Sequence, residues 1–365
     1  MIRRLRALRA RLWRVAKWPL AFLGVVVLLL LTPVGYVELA CRGESSEQSY
    51  KPLIADAVFQ RREANTYLTY PEWHMVFAYD GLAEALKTSD EHAFDYFESV
   101  AGFWRSTCAL MRVADAHGGA DRDTRVMIHT IGVSFTAEMA MKAAYEETIG
   151  RGTAWFRGRS KTPQDQAVSA TAIDYAAFLR QTPWYRYPFM REVAKLWAAP
   201  AGWSLRGWER RFAIGLEFAA KTAYAKAIGG AVAATAPAKL SIRSVVSGLD
   251  EAQLSSIPDV TIIGAHDGGV EIETPRYDLF TRILVEIASR GGTVKEIAGN
   301  DDIMVTLTVQ PGQDAPIGNA IVILRMKRDG FQGDRLLVNV KVPELALLLN
   351  ANALGDPGLE HVFDY

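Results

Sequence analysis

The chain has 365 residues, of which 50% are hydrophobic and 22% are charged. This composition is typical of a globular protein and excludes an intrinsically disordered one. Two cysteines are too few for a disulfide framework or a four-cysteine zinc site. The first 17 residues carry seven basic side chains and no acidic one, which leaves 34 basic against 41 acidic residues in the remainder. A body with that acidic excess argues against nucleic-acid binding.

Residues 18–37 form an uncharged stretch that is predicted to cross a membrane. Twenty helical residues span about 30 Å, the thickness of the hydrocarbon core. Trp18 and Tyr36 lie near the two ends, where aromatic side chains suit the membrane interfaces. Because basic residues precede the stretch, the positive-inside rule makes residues 1–17 a cytoplasmic tail. The sequence therefore predicts a single-pass inner-membrane protein with a periplasmic body.

Two alternatives to a retained anchor stay open at this level. A cleaved signal peptide usually has a shorter apolar core and a small-x-small cleavage site. A lipoprotein signal is suggested by Leu39-Ala40-Cys41, although Glu38 occupies a position that such signals give to an aliphatic residue. In an oxidising compartment Cys41 could pair with Cys108, stay unpaired or form an intermolecular bond.

Residues 63–236 are predicted to form a helical domain, after a polar linker within residues 42–62. Apparent capping boxes begin at Thr69 and Thr88, and prolines and glycine pairs mark other helix ends. The predicted helices cover about 70–87, 88–116, 121–149, 162–182, 189–198 and 205–228.

Residues 238–365 are predicted to form a small α+β domain. β-branched runs between turn residues predict seven strands, with a helix over 277–289 and a Leu-rich candidate helix over 343–349. The predicted strands cover 240–246, 260–264, 270–274, 294–297, 303–309, 320–326 and 336–342. An antiparallel sheet with one or two helices on one face fits this order, and in outline it resembles ferredoxin-like adaptor domains. The predicted fold class of the whole chain is α+β.

Two predicted helices share a pattern of residues at a shift of 79 positions. The recurring residues are Glu138, Lys142, Tyr145, Ile149 and Gly150 in the first helix, and Glu217, Lys221, Tyr224, Ile228 and Gly229 in the second. The same shift relates Asp95-Tyr96 to Asp174-Tyr175 and Met111-Arg112 to Met190-Arg191. We interpret the pattern as a duplicated helical hairpin, and the alternative is chance similarity between Ala-rich helices.

The repeated Glu, Lys and Tyr side chains are the candidate functional site. Their spacing places them on one stripe of each helix, between apolar residues. If both stripes face the core, two carboxylates, two ammonium groups and two phenols meet between the repeats. A buried ion pair often stabilises less than an apolar replacement, so its repetition indicates a ligand-binding or acid–base role. The alternative is a pair of solvated surface ion pairs, worth about 0.3–0.5 kcal/mol each. The six candidate ligand-binding residues are Glu138, Lys142, Tyr145, Glu217, Lys221 and Tyr224.

The leading functional prediction is a membrane-anchored envelope protein with an accessory role, which binds a protein partner or a small polar ligand. The alternative is an enzyme in which a glutamate is the general base, a lysine stabilises negative charge and a tyrosine donates a proton. The sequence has no His-Glu-x-x-His, Cys-x-x-Cys or Gly-x-Ser-x-Gly pattern, and no Glu-x-x-His on the paired helices. It therefore predicts no metal site and leaves cofactor and substrate unknown.

For three weaker candidates we favour a structural interpretation over a functional one. His74 and His129 lie on predicted helices, where hydrogen-bonded core positions are the ordinary role of a histidine. The aromatic segment 183–189 suits a sugar-stacking edge or a membrane-interface belt, but a packed corner between helices is the favoured interpretation.

Overall fold

A computed structural model describes residues 2–44, 46, 50–200, 202–234, 240–266 and 268–365, with the backbone alone for 2–16 and 230–234. The α-helices in this part of the chain are α1 (Ile2–Ala40), α2 (Asn65–Leu68), α3 (Tyr70–Thr88), α4 (Tyr96–Ala116), α5 (Arg122–Tyr145), α6 (Arg151–Arg157), α7 (Pro163–Leu179), α8 (Phe189–Ala198), α9 (Leu205–Ala234), α10 (Glu251–Ser255), α11 (Asp278–Ser289) and α12 (Leu345–Ala351). The strands are β1 (Ser241–Ser247), β2 (Thr261–His266), β3 (Gly269–Pro275), β4 (Thr293–Ile297), β5 (Asp302–Val309), β6 (Ile321–Lys327), β7 (Asp334–Lys341) and β8 (Gly358–Val362). The predicted mixture of helices and antiparallel sheet is confirmed.

Helix α1 contains a stretch, Lys17–Ala40, that is long and apolar enough to cross a membrane. Most of this stretch is exposed, whereas Val37 near its end is buried. An apolar N-terminal helix of this kind is consistent with a single-pass anchor or a signal sequence. The predicted helix is confirmed, while its membrane and its orientation stay predictions.

The end of α1 is fastened directly to the helices that follow. A disulfide bond joins Cys41 to Cys108 of α4, which is one of the three states that the sequence left open for these cysteines. The Glu38 carboxylate accepts hydrogen bonds from Arg125 and His129 of α5, both at 2.7 Å. The Gly43 amide donates to Asp115 at the end of α4, at 2.9 Å. His129 thus forms a hydrogen bond with the end of α1 where this helix meets the rest of the protein.

The described residues of the predicted linker are also attached to the body. Tyr50 donates its hydroxyl hydrogen to the buried carboxylate of Glu296 in β4, and the amides of Leu53 and Ile54 donate to the same group. Ile54 is fully buried. The segment therefore packs as part of the fold, because a buried carboxylate that accepts three hydrogen bonds fixes its backbone.

The helix starts differ in part from the capping pattern of the sequence. Thr88 is the last residue of α3, and α4 begins at Tyr96 with Asp95 as its N-cap. The Thr69 hydroxyl donates to the Thr66 carbonyl and makes no cap bond. Both predicted capping boxes are therefore wrong. The Thr88 motif failed because Thr88 still belongs to α3, and the carboxylate of Asp95 caps α4 instead by accepting from the Glu98 amide.

The strands form two four-stranded antiparallel sheets, where the sequence suggested one. The orders are β2-β3-β1-β4 and β6-β7-β5-β8, so the second sheet repeats the order of the first. The chain passes between them in the tight turn after Ile297, where Ala298 and Gly299 have φ of 49° and 83°. This turn redirects β5 so that it pairs with β7 and β8 instead of extending the first sheet. β8 was not predicted.

The helical and β parts share buried surface. Every residue of β5 is buried, and α2 and α4 pack against β5 and β6 respectively. Phe363 packs on Tyr70 and Trp73, while the Thr66 hydroxyl donates to the Phe363 carbonyl at 2.9 Å. Helices α11 and α12 pack on each other in a second core cluster that contains residues of both sheets. The predicted division into two domains stays a prediction, and its boundary near residue 238 lies outside the described residues.

Candidate functional site

Four of the six candidate residues form one charged cluster between α5 and α9. Lys142 Nζ donates to Glu217 Oε2 at 2.8 Å, and Lys221 Nζ lies 2.8 Å from Glu138 Oε1. Lys221 Nζ is also 3.2 Å from Glu217 Oε1 on its own helix. Each lysine thus pairs with the glutamate of the other helix. Position 138 faces 221 and position 142 faces 217, so the two helices run antiparallel at this contact.

Aromatic side chains of α3 and α7 close one side of the charged cluster. Lys221 Nζ donates to the Tyr79 hydroxyl at 2.8 Å, and that hydroxyl donates to Glu138. The same ammonium lies 4.9 Å from the ring centre of Tyr79 and 5.3 Å from that of Tyr175, within the range of cation–π attraction. Tyr79 was not foreseen, because its sequence context carries no signal of a contact 59 residues away.

The ion pairs of the charged cluster stabilise the ionised forms of Glu217 and Lys221. Burial opposes ionisation of Glu217, but the ammonium groups of Lys142 and Lys221 outweigh it and lower the pKa of that carboxyl to about 2. Burial would lower the pKa of Lys221, yet the carboxylates of Glu138 and Glu217 raise it well above its usual value. Burial and the Glu138 carboxylate raise the pKa of Tyr79. At neutral pH the cluster therefore contains two carboxylates, two ammonium groups and a protonated phenol.

One edge of the charged cluster is open to solvent. The side chain of Glu138 is 32% exposed and that of Lys142 is 17% exposed. Among the described residues, contacts to Glu138 are made through Oε1, and Lys142 uses one of its three ammonium hydrogens on Glu217. These two residues are four positions apart on α5, so an acceptor and a donor lie side by side at this edge.

The two candidate tyrosines lie away from the charged cluster. Tyr145 donates its hydroxyl hydrogen to Glu209 of α9. Tyr224 is 48% exposed and stacks on Trp184, with ring centres 5.3 Å apart. The positions of the two tyrosines follow from the antiparallel orientation of α5 and α9, which places the two phenols at opposite ends of the contact between these helices. The expected convergence of all six side chains does not occur.

A second ionic network, deeper than the first, surrounds two arginines of α9. Arg210 is 0% exposed and contacts Glu91 at 3.0 Å and Glu146 at 2.9 Å. Arg206 contacts the other oxygen of Glu91 and the carboxylate of Asp165, both at 2.8 Å. Their sequence neighbourhood, Arg-Gly-Trp-Glu-Arg-Arg, reads as a solvated helix start, so the sequence carried no signal for this buried network.

The π-helical turn Glu146–Gly150 fits α5 and α6 around this network. Arg206 donates to the Gly150 carbonyl at 3.1 Å, which such a wide turn leaves available to a side chain. A β-carbon at position 150 would lie 2.1 Å from a carboxylate oxygen of Glu146, so an alanine here would displace that carboxylate from its contact with Arg210. The effect of burial on the Glu146 carboxyl is larger than the attraction of the Arg210 guanidinium, so the pKa of Glu146 is raised. The network thus joins α6 and α9 to the segment before α4.

The described groove along the start of α8 lies beside the charged cluster but includes none of the six candidate residues. Its lining residues are Tyr185, Tyr187, Pro188, Phe189, Met190, Arg191, Thr222, Ala225 and Lys226. Within the aromatic segment 183–189, Tyr187 and Phe189 are buried, and the Tyr187 ring lies 4.7 Å from that of Tyr175. These contacts favour the packed-corner interpretation for those two rings.

No protein-family model, curated protein or solved structure matches this chain.

Proposed function

We propose that the protein is a single-pass inner-membrane protein whose periplasmic body binds a small polar ligand in an accessory, non-catalytic role. The observation that carries the binding role is the open edge of the charged cluster, where Glu138 and Lys142 offer an acceptor and a donor side by side. A neutral polyol, whose hydroxyl groups both donate and accept, suits such a pair. A free anion suits it less, because the adjacent carboxylates repel it.

The attachment of the anchor supports the proposed location. Disulfides persist in oxidising compartments, so the Cys41–Cys108 bond favours a body outside the cytoplasm. The disulfide and the contacts of Glu38 also fix the body relative to α1. A body held at a fixed orientation to the bilayer suits a component of a membrane assembly, in which a protein partner takes up the bound ligand.

An acid–base enzyme is the alternative, and the electrostatics favour it less. A general acid or base works best when its pKa lies near the working pH. In the charged cluster the pKa of Glu217 is lowered to about 2, and the pKa values of Lys221 and Tyr79 are raised away from neutrality. These directions make proton transfer harder for all three groups.

We further propose that the helical part contains a duplicated hairpin. The exchanged pairs Glu138–Lys221 and Glu217–Lys142 are related by the 79-residue shift, as a duplicated hairpin with a local two-fold axis requires. Against it, Asp95 caps α4 whereas its counterpart Asp174 lies inside α7. We propose the duplication on the strength of the exchanged pairs.

We also propose that the β part contains two ferredoxin-like modules. The first has the order β1-α10-β2-β3-α11-β4, which is the β-α-β-β-α-β arrangement of that fold. The second has the same strand order in its sheet but no α-helix between β5 and β6 in the described residues. A crystal structure with different strand orders in the two sheets would contradict this proposal.

Ligand-observed NMR on the full chain in mild detergent tests the binding role. The probes are inositol and glucose as neutral polyols, with acetate as the anionic comparison. We expect saturation transfer to a polyol, its loss in Glu138→Gln and Lys142→Met, and its retention in Glu147→Gln, which alters a surface pair at 41% exposure. Absence of polyol binding to the wild type, or equal binding by all variants, would overturn the proposed ligand class.

Reporter fusions at the C-terminus test the location separately. We expect activity from a reporter that works only in the periplasm, and none from a reporter that works only in the cytosol. The reverse pattern would overturn the topology while leaving the binding result intact.

A further inference from the structure

Three potential metal ligands meet where the helical part contacts the second sheet. They are Glu63, just before α2, His117, just after α4, and Asp302, the first residue of β5. One ligand atom from each lies within 4.8 Å of the others, and both carboxylates are buried. We propose that these three side chains bind a Zn²⁺ ion that links the two parts of the body. The sequence analysis predicted no metal site, because the three ligands of this site are spread over 240 positions and match no spacing motif.

The hydrogen bonds around His117 orient its ring for metal binding. Tyr67 donates its hydroxyl hydrogen to Asn339 Oδ1 at 3.0 Å, so the phenol oxygen is an acceptor toward His117 Nε2, 3.4 Å away. The Nε2 atom therefore carries a hydrogen, and Nδ1 points at the carboxylate of Glu63. Two electron pairs that face each other repel unless a cation lies between them. A Zn²⁺ ion between the two groups would accept an electron pair from each of them.

A metal-bound histidine usually donates its second N–H to a neighbouring group that fixes the ring. Tyr67 has that position here, and it is fully buried, so its hydroxyl is held in place by the core. Asn339 connects the two sides of the site, since it accepts from Tyr67 and donates to Asp302 Oδ1 at 3.0 Å. The set thus contains three ligands and the supporting groups that such sites require.

The charges of the site match a divalent cation. Glu63 and Asp302 together carry two negative charges, which Zn²⁺ neutralises. Lys341 pairs with Asp302 at 2.5 Å, but its side chain is 53% exposed and also contacts Asp301 at 3.1 Å. Its ammonium can therefore turn to Asp301 when the metal binds. One imidazole and two carboxylates suit Zn²⁺ with water as a fourth ligand, whereas Ca²⁺ and Mg²⁺ favour oxygen ligands alone.

Metal binding is measured on the full chain in mild detergent, after dialysis against a chelator and then against ZnCl₂. We expect mass spectrometry of the desalted protein to find one zinc per chain. We expect His117→Ala and Asp302→Asn to lose it, and the control His92→Ala to retain it. Visible d–d bands with Co²⁺ in place of Zn²⁺ should appear in the wild type alone among wild type, His117→Ala and Asp302→Asn. A zinc-free wild type, or equal zinc in His117→Ala, would overturn the site.

A milder variant keeps the test decisive if the ligand variants do not fold. Tyr67→Phe keeps the buried ring and removes the hydroxyl that orients His117. We expect its zinc affinity to fall by about 10- to 100-fold, the usual effect of losing such a supporting group. Circular dichroism checks that the variant is folded. An unchanged affinity in a folded Tyr67→Phe protein would contradict the orientation assigned to His117.

Discussion

Replacing Glu217 with glutamine is expected to destabilise the protein by about 3 kcal/mol at neutral pH. Glutamine has the size of a protonated carboxyl group but no charge, so the substitution isolates the electrostatic contribution. The neighbouring ammonium groups lower the pKa of Glu217 from 4.5 to about 2. At about 1.4 kcal/mol for each tenfold change in proton affinity, the difference corresponds to roughly 3 kcal/mol. Loss of one partner of a partly buried pair has a similar magnitude.

The pH dependence gives the sharper test of this reasoning. A carboxyl group whose pKa is lower in the folded than in the unfolded state stabilises the fold above its unfolded pKa. That stabilisation is lost as the pH falls toward the folded pKa. The difference between wild type and Glu217→Gln should therefore be largest above about pH 5, and shrink between pH 4.5 and 2. Urea denaturation of the full chain in detergent, followed by tryptophan fluorescence, measures it.

The matched control is Glu147→Gln. Glu147 pairs with Arg151 on the surface at i,i+4, where both side chains are more than two-fifths exposed. Exposed pairs of this kind contribute about 0.3–0.5 kcal/mol, so the control should lie close to the wild type at every pH. The reasoning is refuted if Glu217→Gln matches the control at pH 7, or if its destabilisation stays the same at pH 3 as at pH 7.

Three further predictions concern stability. Arg210→Met should lower the free energy of unfolding by about 3–5 kcal/mol in urea denaturation, because Glu146 would stay buried without its cation and Glu91 would keep Arg206 alone. A change below about 1 kcal/mol would argue against it. Gly132→Ala should lower the free energy of unfolding by about 1–3 kcal/mol, because the new β-carbon would lie 2.6 Å from an aromatic ring. Gly152→Ala, whose β-carbon would meet no atom within 4 Å, should instead raise the free energy of unfolding by up to about 1 kcal/mol. Equal melting temperatures of the two variants would contradict this contrast. Reduction of the disulfide, which joins residues 67 positions apart, should lower the free energy of unfolding by about 4 kcal/mol. An unchanged denaturation midpoint in the presence of reductant would count against this prediction.

The local features of the chain were predictable because their causes are local. Helix α8 was predicted over 189–198 and is observed over Phe189–Ala198, since proline and an apolar stripe mark it without reference to the rest of the chain. Strand β8 was missed because its five residues include Glu360 and His361, which look solvated. The structure buries His361 on Trp73 and pairs Glu360 with Arg335, partners that lie far away in sequence.

By itself the sequence determined the apolar N-terminal helix, the change from helices to strands and the residues that recur at a 79-residue shift, because each depends only on the order of residue types along the chain. Only the tertiary structure decided which charges meet. Antiparallel packing of α5 and α9 pairs each lysine with the other helix's glutamate and sends Tyr145 and Tyr224 to opposite ends. Burial then determines what each pair contributes, since a charge removed from water depends on its nearest partner far more than an exposed one does.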